Sequence, residues 1–184
     1  KLENAELSAV SDASQKALAF AKKMGVKAVF NDYRELVKDQ SIDAVIVSLP
    51  THLHAECAKE AAEAGKSIFL EKPLGRNVSE GKEILSSVEK NKVRLMVGYP
   101  LRFSPSLRDL KAKIQSNDLG DVQIANTTNV GPGPFFHRAE ADAPRPVPKW
   151  WFKSELTGGG ALLDLGVHLT NLLRWYFGEI SDIK

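Results

Sequence analysis

The sequence predicts an α/β fold, a doubly wound parallel sheet that gives way to a second domain of different rhythm. Two observations carry this. Up to about Tyr99, short β-branched apolar runs alternate with longer helix-period segments at least four times, the pattern of parallel strands joined by helices. After Gly98 that alternation stops, and a helix, an alternating run and a Pro-rich stretch follow. The first domain is therefore placed at residues 1–99 and the second at residues 100–184.

In order along the chain, Glu6 to Val10 reads as a strand and Ser14 to Met24 as a helix closed by Gly25. Ala28 to Phe30 is a short strand and Tyr33 to Lys38 a short helix. Ala44 to Ser48 is a continuous apolar run, expected for a strand covered on both faces. Thr51 to Ala64 is an Ala-rich helix closed by Gly65, Ser67 to Leu70 a strand, Val78 to Asn91 a helix and Val93 to Val97 a strand. In the second domain, Pro105 to Ser116 is helical, with Leu107, Leu110 and Ile114 on one side. Val122 to Asn129 alternates as a half-exposed strand does. The Pro-rich stretch Gly131 to Lys149 has neither period and reads as a long loop of the kind that carries function. A helix from about Ala161 to Phe177 ends at Gly178.

The apolar share of 43% and charged share of 26% are those of a globular protein. The formal charge of +2 comes from 25 basic and 23 acidic residues mixed along the chain, so no one-sign block attracts nucleic acid or anionic lipid. No apolar run approaches the roughly 20 residues of a membrane span. Cys57 is the sole cysteine, which excludes a disulfide framework and fits a reducing, cytoplasmic compartment. The chain starts at Lys1 rather than Met and stops at Lys184 as a new strand pattern begins, so both ends read as cut.

Four constellations carry chemistry. Asp12 follows the first strand, where an acid of a dinucleotide-binding sheet accepts the ribose hydroxyls and repels a 2′-phosphate; a turn or N-cap aspartate is the alternative. No G-x-G-x-x-G occurs, since Gly131 and Gly133 are followed by Phe136 at the third place. If the strand at Glu6 is the second of the fold, strand one, its phosphate loop and its helix are missing, roughly 30 residues of a βαβ unit. In the order 3-2-1-4-5-6 the lost strand is central, which leaves two unpaired edges. Next, Pro50, Thr51 and His54 lie in the loop after a buried strand, at the carboxyl end where ligands of open sheets sit; a plain helix start with Thr51 as N-cap is compatible. His52 and His54 flank one residue, but no third ligand is near, so no metal is expected.

Glu71, Lys72 and Pro73 close the next strand, and a lysine there can donate to a developing alkoxide or carbonyl oxygen; a surface turn is the bland alternative. Finally, Gly158-Gly159-Gly160-Ala161-Leu162-Leu163-Asp164-Leu165-Gly166-Val167-His168 puts an acid and an imidazole one helical turn apart among apolar neighbours. The pair is either an acid/base set or a hydrogen-bonded core pair.

In this order and spacing, the segments resemble the oxidoreductase family that includes glucose-fructose oxidoreductase and inositol dehydrogenase. The likeness runs from the Asp12 strand end through Pro50 to His54, Ala64 to Leu74, Val97 to Tyr99 with Arg102 and Phe103, and Leu119 to Val122, to Gly158 to His168 and Arg174-Trp175. It implies a Rossmann domain, here without its first βα unit, followed by an α+β domain with an open, mainly antiparallel sheet. Asp12, which would repel a 2′-phosphate, favours NAD over NADP; the resemblance implies Lys72 beside the nicotinamide, and Asp164 and His168 facing it, with His168 as proton acceptor and Asp164 supporting the imidazolium. Pro50, Thr51, His54 and Glu71 match positions lining the cofactor, and Tyr99 and Arg102 match positions near the substrate. Thr51 stands where many relatives have Asn, and Asn171 where an Asp is common. The implied reaction is hydride transfer between the nicotinamide and a secondary alcohol of a sugar, polyol or related compound, in a homo-oligomer paired through the open sheet. A nucleotide-binding regulator and a redox-neutral NAD-dependent glycosidase are the rival readings.

Overall fold

The computed structural model describes residues 3–129 and 148–183. Five parallel strands, β1 (Ala9–Ser11), β2 (Ala28–Phe30), β3 (Ala44–Val47), β4 (Ser67–Glu71) and β5 (Leu95–Gly98), alternate with helices α1 (Gln15–Lys23), α2 (Tyr33–Lys38), α3 (His54–Glu63) and α4 (Val78–Lys90). Helix starts follow local chemistry. The Asp32 carboxylate accepts from the Arg34 amide at 2.9 Å, and the Asn77 side chain accepts from the Glu80 amide at 3.0 Å. Each satisfies a donor that has no intrahelical partner.

The strands form two separate sheets, β1-β2 and β3-β4-β5. Their order is that of a doubly wound sheet whose central position, between β1 and β3, no strand among the described residues fills. Val45 and Val47 of β3 pair in register with Ile68 and Leu70 of β4, and these four side chains meet Ala58, Ala61 and Ala62 of α3 and Ile84 and Val88 of α4 in the core. Alanines along α3 let that helix approach the sheet closely, and its first turn then sits over the strand ends.

The expectation that β3 is covered on both faces is corrected. Ile46, Phe69 and Met96 lie side by side across β3, β4 and β5 on the other face, with Ile46 74% exposed, because α3 and α4 cover one face only. The first strand is also shorter than expected, beginning at Ala9 rather than Glu6.

Beyond β5 the chain forms α5 (Pro105–Gln115), a one-turn helix α6 (Ser154–Thr157), a π-helical segment Leu162–Gly166 and α7 (Val167–Phe177). The alternating run Val122 to Asn129 forms no strand and is exposed throughout. A strand needs a neighbour to satisfy its backbone groups, and none pairs with it among the described residues. The long loop expected at Gly131 to Lys149, with its G-x-G, lies outside the described residues except for Pro148 and Lys149. Helices α5 and α7 are tied by the Tyr176 hydroxyl, which donates to the Leu107 carbonyl at 3.2 Å, and by the Lys111 ammonium on the Trp175 and Tyr176 carbonyls. No helix of the described residues is long and apolar enough to cross a membrane.

Candidate active site

Because β3 and β4 are parallel and adjacent, their carboxyl ends open on the same side. From β3 the chain continues through Ser48, Leu49 and Pro50 into a 3-10 turn at Thr51–Leu53; from β4 it continues through Lys72 and a cis peptide to Pro73. The π-helical segment faces this rim. There the Lys72 ammonium donates to the Asp164 carboxylate at 2.6 Å and to the Asp164 carbonyl at 2.9 Å, joining residues 92 positions apart. π-turns widen a helix and recur at functional sites.

Around this pair lies a cavity of about 440 Å³, walled by Pro50, Thr51, His54, Glu71, Lys72 and Asp164 together with Trp150, Trp151, Thr157 and Leu163. The two indoles are stacked at 6.3 Å and 14°. They were not singled out from the sequence, although their position between a Pro-rich stretch and a triple glycine was the available signal: two large rings in a segment too polar to form a core.

The structure arranges the remaining candidates differently from one another. His168 stands in the first turn of α7, its ring edge-on to Tyr99 at 6.2 Å, and its buried Nδ1 has no partner. Asp164 does not support that ring by a hydrogen bond. Its carboxylate is taken by the Lys72 ammonium, because a charge-assisted bond to a cation outcompetes one to a neutral imidazole. Arg102 turns toward α7, where its Nε donates to Asn171 Oδ1 at 2.6 Å and its guanidinium lies 5.8 Å from the Trp175 ring. His168, Tyr99 and Arg102 are not among the cavity's walls.

His54 is fully buried, with Nδ1 2.9 Å from the Pro73 carbonyl and Nε2 2.9 Å from the Leu49 carbonyl. It sits between the loops after β3 and β4 and, with two carbonyl acceptors at its nitrogens, donates its N–H to one of them, bracing the loops. Asp12 lies apart from the cavity at the end of β1, where its carboxylate accepts from the Ser14 amide at 2.7 Å, the turn geometry named as the alternative. Among the described residues, no group of three His, Cys, Asp or Glu side chains is placed to hold a metal ion.

Burial holds the His168 pKa below its ordinary 6.5, helped by the Lys72 cation and opposed by Asp164 and Glu71. The imidazole is therefore neutral near pH 7 and free to accept a proton. Burial pushes the Tyr99 phenol up, so it stays protonated. If His168 is the base, kcat/KM for alcohol oxidation falls with acidification only below pH 6.5. Lys72→Met, which removes a neighbouring cation, then moves that acid limb upward, and Asp164→Asn moves it downward. A pH-rate profile of the residual activities reads both signs, and unmoved limbs in both variants sink the assignment.

Comparison with known proteins gives this geometry its setting. Residues 1–99 match the model of an oxidoreductase family with an NAD-binding Rossmann fold, and residues 107–184 match the GFO/IDH/MocA C-terminal domain. The chain belongs to the GFO/IDH/MocA oxidoreductase family. Its relatives in this family include the uncharacterized oxidoreductase YrbE of Bacillus subtilis, 30% identical over 100% of this chain and 50% of that protein. Levoglucosan dehydrogenase of Pseudarthrobacter phenanthrenivorans is 32% identical over 89% of this chain and 40% of that protein. Myo-inositol 2-dehydrogenase of Thermotoga maritima is 28% identical over 97% and 49%. The chain thus spans about half the length, or less, of these curated relatives. Among solved structures, a levoglucosan dehydrogenase in complex with NADH and levoglucosan superposes with a TM-score of 0.76 at 29% identity, covering 95% of this chain and 46% of that one.

Proposed function

We propose that this chain carries the hydride-transfer centre of an NAD-dependent dehydrogenase acting on a secondary alcohol of a sugar, polyol or related compound. The observation that carries the reading is the Lys72 ammonium, 2.6 Å from the Asp164 carboxylate at the wall of a cavity formed between residues 48–73 and 148–164. Family membership and the dehydrogenases among its relatives support it.

The residues present fit the nicotinamide end of a dinucleotide. The cavity sits at strand carboxyl ends, and its Trp150-Trp151 stack, Pro50 and Leu163 suit a flat, weakly polar ring. Pro50, Thr51, Glu71 and Lys72 would hold that end, and Asp12 the adenosine ribose. When bound, the nicotinamide supplies the hydride acceptor at C4. His168 takes the hydroxyl proton as the alcohol carbon loses its hydride and becomes a carbonyl. Lys72 donates to the same oxygen and so stabilises its developing negative charge. Asp164 aims the ammonium and orients the substrate hydroxyl. Tyr99, edge-on to His168, and Arg102 border the substrate side. A homo-oligomer paired through the sheet of the second domain is the assembly that the family resemblance implies, and the single Cys57 fits a reducing, cytoplasmic compartment.

The test is absorbance of reduced nicotinamide in a screen of sugars and polyols, using the native-length polypeptide that carries this sequence. Net NADH from a free polyol is the expected result, with NAD preferred over NADP because Asp12 repels a 2′-phosphate. No NADH from any secondary alcohol, with the protein folded and cofactor bound, rejects the reading.

A further inference from the structure

We propose that Arg76, locked by the buried Glu80 carboxylate, is a positioning residue that sets Asp164 against Lys72. The inference rests on the reading of Lys72 and Asp164 as parts of the hydride-transfer centre, but Arg76 and Glu80 are not among the cavity's walls and touch no reacting atom.

Glu80 is 8% exposed, in the first turn of α4. Its carboxylate accepts from the Arg76 amide at 2.8 Å through one oxygen, and from Nε at 2.8 Å and Nη2 of the same arginine through the other. Main chain and guanidinium are thus fixed by one buried group. That geometry is rigid where a lysine's is not, because the planar fork leaves the arginine few alternative poses. The remaining arm of the fork, Nη1, donates to the Glu155 carbonyl at 2.6 Å, reaching from the first domain into the second.

A second contact lies beside the first. Gly158 has φ +82°, and a Cβ there would lie 2.6 Å from both the Cα and the carbonyl oxygen of Arg76. The two backbones pack with no room for a side chain. Thr157, buried next to it, donates from its hydroxyl to the Gly159 carbonyl at 2.8 Å and stiffens the same turn. Segment 155–159 is therefore clamped onto residue 76, four positions past Lys72. Asp164 follows six positions after Gly158.

The same two stretches, 72–76 and 155–164, are thus joined at both ends: by Arg76 to Glu155 and Gly158, and by Lys72 to Asp164. The lysine-carboxylate pair is partly solvated, with side chains 22% and 35% exposed, so it does not fix the two segments by itself. The Arg76 contacts tie the same segments a second time, anchored on the buried Glu80 carboxylate and the buried Thr157, while Arg76 itself is partly exposed and Glu155 and Gly158 lie at the surface. Displacement of a reacting group by about 1 Å costs on the order of 100-fold in rate, so a residue outside the cavity can govern turnover.

The experiment uses the native-length polypeptide carrying this sequence, with its lysines reductively methylated using ¹³C-formaldehyde and the Lys72 resonance assigned by Lys72→Arg. Asp164→Asn defines where that resonance lies once its partner is lost. Arg76→Met is expected to move it at least half as far in the same direction, and Arg76→Lys to leave it nearer the wild-type position. A Lys72 resonance unmoved by Arg76→Met overturns the proposal. If Arg76→Met does not fold, the isosteric Glu80→Gln is read by the same two criteria.

A kinetic arm separates positioning from general destabilisation. Arg76→Met should lower kcat by about tenfold or more with the cofactor KM changed less than about twofold, and in an Asp164→Asn background it should add less than about twofold. Losses that multiply in the double variant overturn the proposal. A wild-type protein that forms no NADH defeats the dehydrogenase reading instead, and the resonance arm still decides the role of Arg76.

Discussion

On the proposed mechanism, Lys72→Ala and His168→Ala are each expected to lower kcat of the native-length polypeptide by at least about tenfold, and by up to the roughly 10² to 10⁴ that a positioned proton-transfer group typically supplies. The two losses have different origins. On the proposed mechanism, removing Lys72 takes away the donor to the substrate oxygen; it also frees the Asp164 carboxylate, which accepts from that ammonium at 2.6 Å. An uncompensated anion then faces an oxygen that is becoming negative, the reverse of transition-state stabilisation. Removing His168 takes away the group that burial and the Lys72 cation hold neutral and able to accept a proton. Its loss should be partly relieved at high pH, where hydroxide can accept the proton, whereas loss of Lys72 should not be. Steady-state turnover of both variants from neutral to alkaline pH checks this. Wild-type kcat in both removes them from the mechanism.

A polypeptide of these 184 residues alone is expected to unfold without a sharp transition and to gain no thermal stability from NAD. The physical cause is in the sheet. β1-β2 is a two-stranded sheet of three-residue strands, and such pairs are marginal without further neighbours. β3 presents an unpaired edge beside Ile46, which is 74% exposed, and Met96 on the same bare face is 46% exposed. Unsatisfied strand edges and open apolar rows favour association over a single native state. A folded protein saturated with NAD at about 100 times its Kd would gain about 2.7 kcal/mol, or roughly 5 to 10 °C in Tm at this size. Calorimetry with and without NAD decides the matter, and a single cooperative melt displaced upward by several degrees contradicts the expectation.

The local periods were readable because they depend on near neighbours. Ser67 to Leu70 pairs β-branched and aromatic side chains in a short run and became a strand, and the Ala-rich stretch Thr51 to Ala64 became a 3-10 turn at Thr51–Leu53 followed by the α-helix His54–Glu63. Asp164 and His168 were legible as a polar pair among leucines, and Lys72 as a cation at a strand end. Val122 to Asn129 misled because alternation marks a strand only when a partner strand completes the ladder. β3 misled in the opposite way, since an apolar run states what could be buried and not what lies above it. His54 read as a cofactor neighbour, and only the fold brought the Leu49 and Pro73 carbonyls to its two nitrogens.

By itself, the order of residues determined the alternation of strands and helices and marked Lys72, Asp164 and His168 as candidates, because these follow from spacing along a chain. Tertiary structure alone decided that the Asp164 carboxylate serves Lys72 rather than His168, that two tryptophans wall the cavity, and that Arg76 reaches Glu155. Each of those contacts joins residues far apart in sequence, and the free energy that selects them comes from burial and charge in the folded molecule, which no local pattern encodes.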